Sequence, residues 1–183
     1  MIVKNLFASV LGLLLVLNAS ASARAADLEN TLYLTLKTGR VVIDLLPQKA
    51  PNHVARIKEL ARQKFYDGLK FHRVIDGFMA QTGDPTGTGA GGSGQKLVAE
   101  LNDQPHGRGT VSMARTQSLD SADSQFFIVF APAPHLDGKY TVWGQVSKGM
   151  EHVDQIKKGN ARGGQVTNPD VIVRLRVAAD VDE

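Results

Sequence analysis

The most informative stretch of this 183-residue chain is Phe71–Asp84, which has the sequence FHRVIDGFMAQTGD. Its centre is Arg73, a cation among apolar residues, and a turn at Gly77 separates two short apolar segments. Alternate residues of a strand share a face, so Met79 and Gln81 point the same way if this segment is extended. A pocket built here is therefore expected to be apolar, with one cation and one amide.

Short strand-like segments recur on both sides of this stretch. Thr31–Leu36 alternates polar and apolar residues, and the turn Lys37-Thr38-Gly39 joins it to the β-branched segment Arg40–Leu46. The further predicted strands are Phe71–Ile75, Phe78–Thr82, Gly109–Ala114, Gln125–Phe130, Thr141–Val146 and Val171–Val177. Many short strands predict a closed or sandwiched β-domain, and periodicity alone does not distinguish the barrel from the sandwich.

Two segments are predicted to be helical. The first begins near Pro51, which a first helical turn tolerates, and its pattern ends at Gly68. Its apolar residues share one face, and they are Val54, Ile57, Leu60 and Ala61. A second, shorter helix is predicted around Met150–Lys158, with Val153 and Ile156 inward and Gly159 as the stop.

Residues 1–25 have the layout of a secretory signal peptide. Lys4 precedes an apolar run, Leu6–Leu17, and small residues follow up to Ala23-Arg24-Ala25. This pattern predicts cleavage before Ala26, with cuts after Ala21 or Ala23 as alternatives. A membrane anchor is the other interpretation, but the run is shorter than the ~20 residues of a spanning helix. One folded domain is predicted over residues 26–183.

Charge and cysteine content exclude several classes of function. The predicted signal segment contains two basic residues and no acidic residue, so its removal lowers the net charge from +3 to +1. The sequence shows no basic patch of the kind that would indicate nucleic-acid binding. The chain contains no cysteine, which excludes disulfides and zinc sites built from thiolates.

A glycine-rich segment, Gly87–Gly94, contains the spacing G-x-G-x-x-G. A dinucleotide site also needs a following helix, whereas the next residues, from Gln95 to Ala99, are predicted to be extended. We therefore predict a mobile surface loop rather than a nucleotide site.

Three blocks of the sequence together resemble the cyclophilin family. They are Phe71–Asp84, the pair Val111–Thr116 and Ser124–Ile128, and His135–Gly144. The resemblance extends from about Asn30 to Ala178. It implies a closed eight-stranded antiparallel β-barrel capped by two α-helices, with a peptide groove on the outer face. It also implies peptidyl-prolyl cis-trans isomerase activity without a metal or an organic cofactor.

The resemblance also assigns site residues. It makes Arg73 the catalytic residue and directs Phe126 inward. The residues implied in substrate binding are Phe78, Met79, Phe127 and Leu136 in the proline pocket, Gln81, Gln125, Ala114 and Arg115 along the peptide backbone, and His135 and Tyr140. His135 stands where many members have tryptophan, which implies weak binding of cyclosporin-type macrocycles.

An exported isomerase that assists the folding of periplasmic proteins is therefore the expected function. Its partners would be proline-containing polypeptides, and we expect a monomer that does not bind nucleic acid and is not inserted in the membrane after cleavage. One alternative is a chaperone-like module that uses the same groove only to hold peptides. A secreted hydrolase is a second alternative, although the sequence has no G-x-S-x-G motif.

Overall fold

The computed structural model describes residues 27–181, so the predicted signal segment, residues 1–25, lies outside the described residues. Eight strands are present in this range: β1 Thr31–Leu36, β2 Gly39–Leu45, β3 Arg73–Ile75, β4 Met79–Thr82, β5 Thr110–Met113, β6 Phe126–Val129, β7 Val142–Lys148 and β8 Arg174–Val177. Two α-helices accompany them, α1 Pro51–Arg62 and α2 Met150–Asp154. No helix among residues 27–181 has the length and apolar character needed to cross a membrane.

The strands form one antiparallel sheet in the order β3-β4-β6-β5-β7-β2-β1-β8. The predicted hairpin at the start is confirmed, because Leu36 pairs with Gly39 and leaves a two-residue connection. Alternation in β1 explains its burial, with Leu32 and Leu34 fully buried.

The sheet is curled but open, so the prediction of a closed barrel is wrong in this respect. Strands β3 and β8 end the order, and within residues 27–181 no ladder joins them. Isolated bridges, Lys70 with Val171 and Arg73 with Gln165, and single main-chain hydrogen bonds connect the β3 edge to the segment before β8. That segment is irregular because it contains several glycines, Pro169 and a left-handed Asn168 (φ 52°).

Both predicted helices exist, but each ends earlier than its sequence pattern suggested. Helix α1 buries its predicted apolar face, and the chain leaves the helix through Lys64, whose φ of 58° is left-handed, four residues before Gly68. Helix α2 ends at Asp154, well before Gly159. Just beyond it, the backbone N–H of Lys157 donates to the carboxylate of Asp170 at 2.8 Å instead of continuing a helical ladder.

The sheet separates two apolar clusters. The main core lies between the sheet and the helices and contains Phe126, whose ring meets those of Tyr66 and Trp143 edge-on at 5.5 and 5.4 Å. The second cluster is built on Phe127 and Met79. Alternation along β6 thus sends adjacent phenylalanines into different clusters, as expected from the sequence.

Candidate active site

Arg73 lies half-buried on β3 and is held at two of its nitrogens. Its Nη1 donates to Oε1 of Gln81 at 3.1 Å, and the two residues are direct partners in the antiparallel β3–β4 pair. Its Nε donates to the backbone carbonyl of Gly163 at 3.0 Å. The guanidinium is therefore fixed in orientation rather than free in solvent.

A relay of side-chain amides continues from this arginine. Nε2 of Gln81 donates to Oε1 of Gln125 at 2.9 Å. Nε2 of Gln125 in turn donates to the carbonyls of Gly89 and Gly91 at 3.0 and 2.8 Å. The relay fixes the oxygen of Gln81 toward Arg73, because its nitrogen is needed as a donor on the other side.

A pocket of about 310 Å³ with an apolar base opens beside Arg73. The residues that line it are Arg73, Phe78, Met79, Gln81, Ala114, Arg115, Phe127, His135, Leu136 and Tyr140. These are all the site residues expected from the sequence except Gln125. Met79 and Phe127 are almost fully buried and form its base together with Leu136.

Aromatic contacts hold the pocket walls in place. The ring of Phe78 lies 5.5 Å from that of His135, and Phe127 meets Tyr140 edge-on at 5.8 Å. The guanidinium carbon of Arg115 lies 4.6 Å from the centre of the Tyr140 ring, within the range of a cation–π contact. The exposed His135 thus supplies an aromatic face at the pocket rim.

A second cavity of about 580 Å³ adjoins the first and contains Gln125, the remaining expected residue. The two cavities share Gln81, Ala114 and Arg115, so together they form a continuous groove. The backbone N–H of Ala114 already donates to the carbonyl of Gln125 at 2.9 Å. Contact between a peptide and the Ala114 main chain is therefore limited to its carbonyl.

The glycine-rich loop, residues 87–94, forms one wall of this second cavity. It is a surface loop as predicted, but two carboxylates hold it in place. Asp84 accepts from the N–H groups of Thr88 and Gly89, and Asp123 accepts from those of Ser93 and Gly94. The loop is therefore hydrogen-bonded near both of its ends, and its mobility stays a prediction.

A buried histidine behind the pocket was missed by the sequence analysis. His106 donates its backbone N–H to Asp137 at 2.8 Å, and its Nδ1 lies 2.9 Å from the same carboxylate. These contacts lower the pKa of the Asp137 carboxyl, the backbone hydrogen bond contributing most. The His106 ring stacks on Phe127 at 6.2 Å and so supports the pocket base. No local pattern indicated this, because His106 and Asp137 lie 31 residues apart.

The same histidine allows the hydrolase alternative to be judged. Its Nε2 lies 3.2 Å from the hydroxyl of Ser112, which gives a Ser–His–Asp series. However, Ser112 is fully buried and its hydroxyl donates to the carbonyl of Thr141 at 2.9 Å. A nucleophile must reach its substrate, so this series supports the fold rather than hydrolysis. Among residues 27–181 no group of three potential ligands could hold a metal ion.

A curled eight-stranded sheet with two helices, carrying an arginine beside a pocket with an apolar base, defines a cyclophilin-like domain. The chain belongs to the family of cyclophilin-type peptidyl-prolyl cis-trans isomerases, whose model, "Cyclophilin type peptidyl-prolyl cis-trans isomerase/CLD", matches residues 31–177. The resemblance found in the sequence is thereby confirmed.

Individual relatives agree with this assignment. A "Probable peptidyl-prolyl cis-trans isomerase" from Brucella suis is 47% identical over 191 residues, covering 97% of each chain. "Peptidyl-prolyl cis-trans isomerase B" from Bacillus subtilis is 44% identical over 131 residues, which is 70% of this chain and 91% of the relative.

Solved structures show the same fold. The cyclophilin AquaCyp293 from Hirschia baltica superposes with a TM-score of 0.76 at 28% identity, covering 85% of this chain and 76% of the other. A Cryptosporidium parvum cyclophilin-type isomerase, crystallised in the presence of the dipeptide Ala-Pro, gives a TM-score of 0.74 at 26% identity. That match covers 80% of this chain and 98% of the other.

Proposed function

We propose that the protein accelerates rotation about X-Pro peptide bonds, with Arg73 as the catalytic residue. The observation that carries this proposal is the fixed guanidinium of Arg73 on the wall of the 310 Å³ pocket, whose base is apolar. Membership in the isomerase family supports it independently.

The reaction requires stabilisation of a twisted amide and no bond cleavage. Resonance keeps the peptide bond planar, with a rotation barrier of about 18–20 kcal/mol. A barrier of ~20 kcal/mol corresponds to roughly 10⁻² events per second, and reaching ~10³ per second requires lowering it by about 7 kcal/mol. In the twisted state the prolyl nitrogen becomes pyramidal and gains a free lone pair, which the planar ground states lack.

Arg73 can exploit the lone pair that distinguishes the twisted state from the planar ground states. A guanidinium donor aimed at the pyramidal nitrogen stabilises the transition state more than either planar isomer, and only such differential binding accelerates the reaction. Nε and one N–H of Nη1 are already engaged, which leaves the remaining N–H donors of Arg73 for the substrate.

The pocket and the groove supply the other requirements. A proline ring is apolar, so its burial against Phe127, Met79 and Leu136 contributes binding free energy and excludes water from the bond. The second cavity, near Gln125, would hold the residues that precede the proline. With the two sides of the bond held differently, one side rotates relative to the other.

The decisive test is the replacement Arg73→Ala, assayed by coupled isomerisation of an Ala-Pro tetrapeptide. Loss of a preorganised donor predicts a fall in kcat/KM of about 10²-fold or more, while peptide affinity changes only a few-fold. Arg174→Ala serves as the control, because Arg174 is an exposed arginine on β8, outside the pocket. Equal losses of catalysis and binding would favour the alternative of a module that only holds peptides.

Export to the periplasm is a further part of the proposal and rests on the signal-like residues 1–25. Slow X-Pro isomerisation limits the folding of newly exported chains. Such chains would be the substrates of the enzyme in the periplasm. Expression of the full chain in a Gram-negative host should yield a periplasmic monomer that begins near Ala26. A full-length product in the cytoplasmic fraction would contradict the predicted export. Sedimentation of the purified product measures the oligomeric state, and a dimer would contradict the predicted monomer.

A further inference from the structure

A backbone turn far along the chain from Arg73 is attached to the same strand. The turn, residues 159–164, leads to Gln165, which forms an isolated bridge with Arg73. Val74, the neighbour of Arg73 on β3, donates its N–H to the carbonyl of Gly164 at 2.7 Å and accepts from the N–H of Gly159 at 2.9 Å. Both ends of the 159–164 turn are therefore fixed to β3 by main-chain hydrogen bonds.

This attachment places the Gly163 carbonyl within hydrogen-bonding distance of the Arg73 side chain. The carbonyl of Gly163 accepts from Nε of Arg73 at 3.0 Å, while Gln81 accepts from Nη1 at 3.1 Å. Two acceptors on different nitrogens determine both the position and the plane of a guanidinium. With only the Gln81 bond, the arginine could rotate about its terminal torsions and lose that orientation.

The turn has this shape because of Gly164. Its φ of 79° lies in the left-handed region. A Cβ at Gly164 would lie 2.5 Å from Cγ1 of Ile75 and 3.0 Å from the backbone carbonyl atoms of Val74. Real Cβ atoms do not come within 2.5 Å of another heavy atom, and the 3.0 Å contacts with the Val74 backbone are already tight. We therefore expect a side chain here to shift the turn away from β3 and to carry the Gly163 carbonyl with it.

We infer that the 159–164 turn positions Arg73 for catalysis through the carbonyl of Gly163, and that Gly164 is required for this role. The inference rests on the proposed isomerase function. Gly163 and Gly164 are positioning residues in this scheme, since neither needs to contact the substrate. The relay through Gln81 holds the arginine from one side and the turn holds it from the other.

The first experiment compares Gly164→Ala with Gly68→Ala in the coupled isomerisation assay. Gly68 has a matching φ of 78°, but a Cβ there would meet nothing within 4 Å. Both variants therefore carry the same left-handed penalty, and only Gly164→Ala displaces the turn. Misplacement of a catalytic group by about 1 Å can cost up to ~10²-fold, so we expect kcat to fall ~10-fold or more with KM nearly unchanged for Gly164→Ala alone.

A second comparison separates positioning from general damage. Gly164→Ala is combined with Arg73→Ala, and the extra replacement should then cause no further loss, because the group that it misplaces is gone. An equal fold-loss in both backgrounds, or full activity of Gly164→Ala, would overturn the inference. If Arg73→Ala leaves catalysis unchanged, the proposed catalytic role of Arg73 is wrong, and the inference that depends on that role is wrong as well. Loss of activity in Arg73→Ala together with full activity of Gly164→Ala contradicts the inference alone.

A measurement on the unmodified protein keeps the test decisive if Gly164→Ala does not fold. NMR of the arginine side chains reports solvent exchange of each Nε–H proton, which a hydrogen bond slows. Exchange at Arg73 should be slower than at Arg162, an exposed arginine whose side chain makes no hydrogen bond to any of residues 27–181. Equal exchange at the two sites would show that the Gly163 carbonyl does not hold Arg73.

Discussion

Gln81 shows how one side chain can serve two neighbours with different needs. Its oxygen accepts from Arg73 at 3.1 Å and its nitrogen donates to Gln125 at 2.9 Å. A carboxylate has the same shape but can only accept. It would pair with the arginine and draw it toward β4, and it would break the relay at Gln125. The amide is therefore required by its donor as well as by its size.

Replacement Gln81→Glu is accordingly expected to lower kcat/KM by about 10-fold. The hydrogen bond from Gln81 to the buried Gln125 is lost, and the new carboxylate forms an ion pair with Arg73. The coupled isomerisation assay measures this, with unfolding in urea as a check on stability. Gln63→Glu makes the same chemical change at an exposed position just after α1 and should leave activity unaltered. Wild-type activity in Gln81→Glu would show that the relay has no catalytic role.

At the scale of an element, Asp84 is one of the two carboxylates that hold the glycine-rich loop. Asp84 is buried, with 1% of its surface exposed. Burial alone would raise the pKa of its carboxyl. The hydroxyl and N–H of Thr86 and the N–H groups of Gly89 and Gly91 outweigh burial and lower the pKa to about 2. The folded loop therefore favours the ionised form.

This depressed pKa has a consequence for stability against acid. The unfolded pKa is ~3.9, so Asp84 contributes fully above that pH, and the contribution disappears as the pH falls through about 2. A pKa difference of nearly two corresponds to about 2–3 kcal/mol. Asp84→Asn should lower the free energy of unfolding by that amount at pH 7, and the gap should close toward pH 2. Urea unfolding between these pH values measures it, with Asp27→Asn, at an exposed residue, as the control. A gap that does not change with pH would contradict this account.

The elements themselves were largely predictable, because hydrophobic alternation and helical spacing are local signals. Strand β1 is predicted residue for residue, and the apolar residues that α1 buries are all predicted, whereas the buried His53 of the same helix is not. The ends were less accurate where a distant group intervenes, as Asp170 does beyond α2. Family resemblance located the pocket residues. It could not indicate the carbonyl of Gly163, since every residue has a carbonyl and this one lies 90 residues from Arg73.

At the scale of the whole molecule, one sheet separates the main core from the candidate site. The larger cluster, with Phe126 against Trp143, contains the helices and most of the buried surface. The smaller cluster, with Phe127 against Met79, forms the base of the pocket. An open sheet suffices for this division, because the groove lies on a face rather than inside a closed barrel. Adjacent residues of β6 can therefore be replaced to perturb one side at a time.

The two phenylalanines offer a matched pair of variants. Phe126→Ala leaves a cavity enclosed on all sides and should cost about 3–5 kcal/mol of unfolding free energy, with activity retained at temperatures where the variant is folded. The space left by Phe127→Ala opens into the pocket, where water can enter, so its cost should be at least ~1 kcal/mol smaller. Its kcat/KM should nevertheless fall ~10-fold or more, since the proline ring loses its aromatic base. Urea unfolding and the isomerisation assay on the same samples test both statements. If Phe126→Ala is folded but inactive while Phe127→Ala is active, the site would lie on the core face of the sheet, which would contradict its assignment to the Phe127 face.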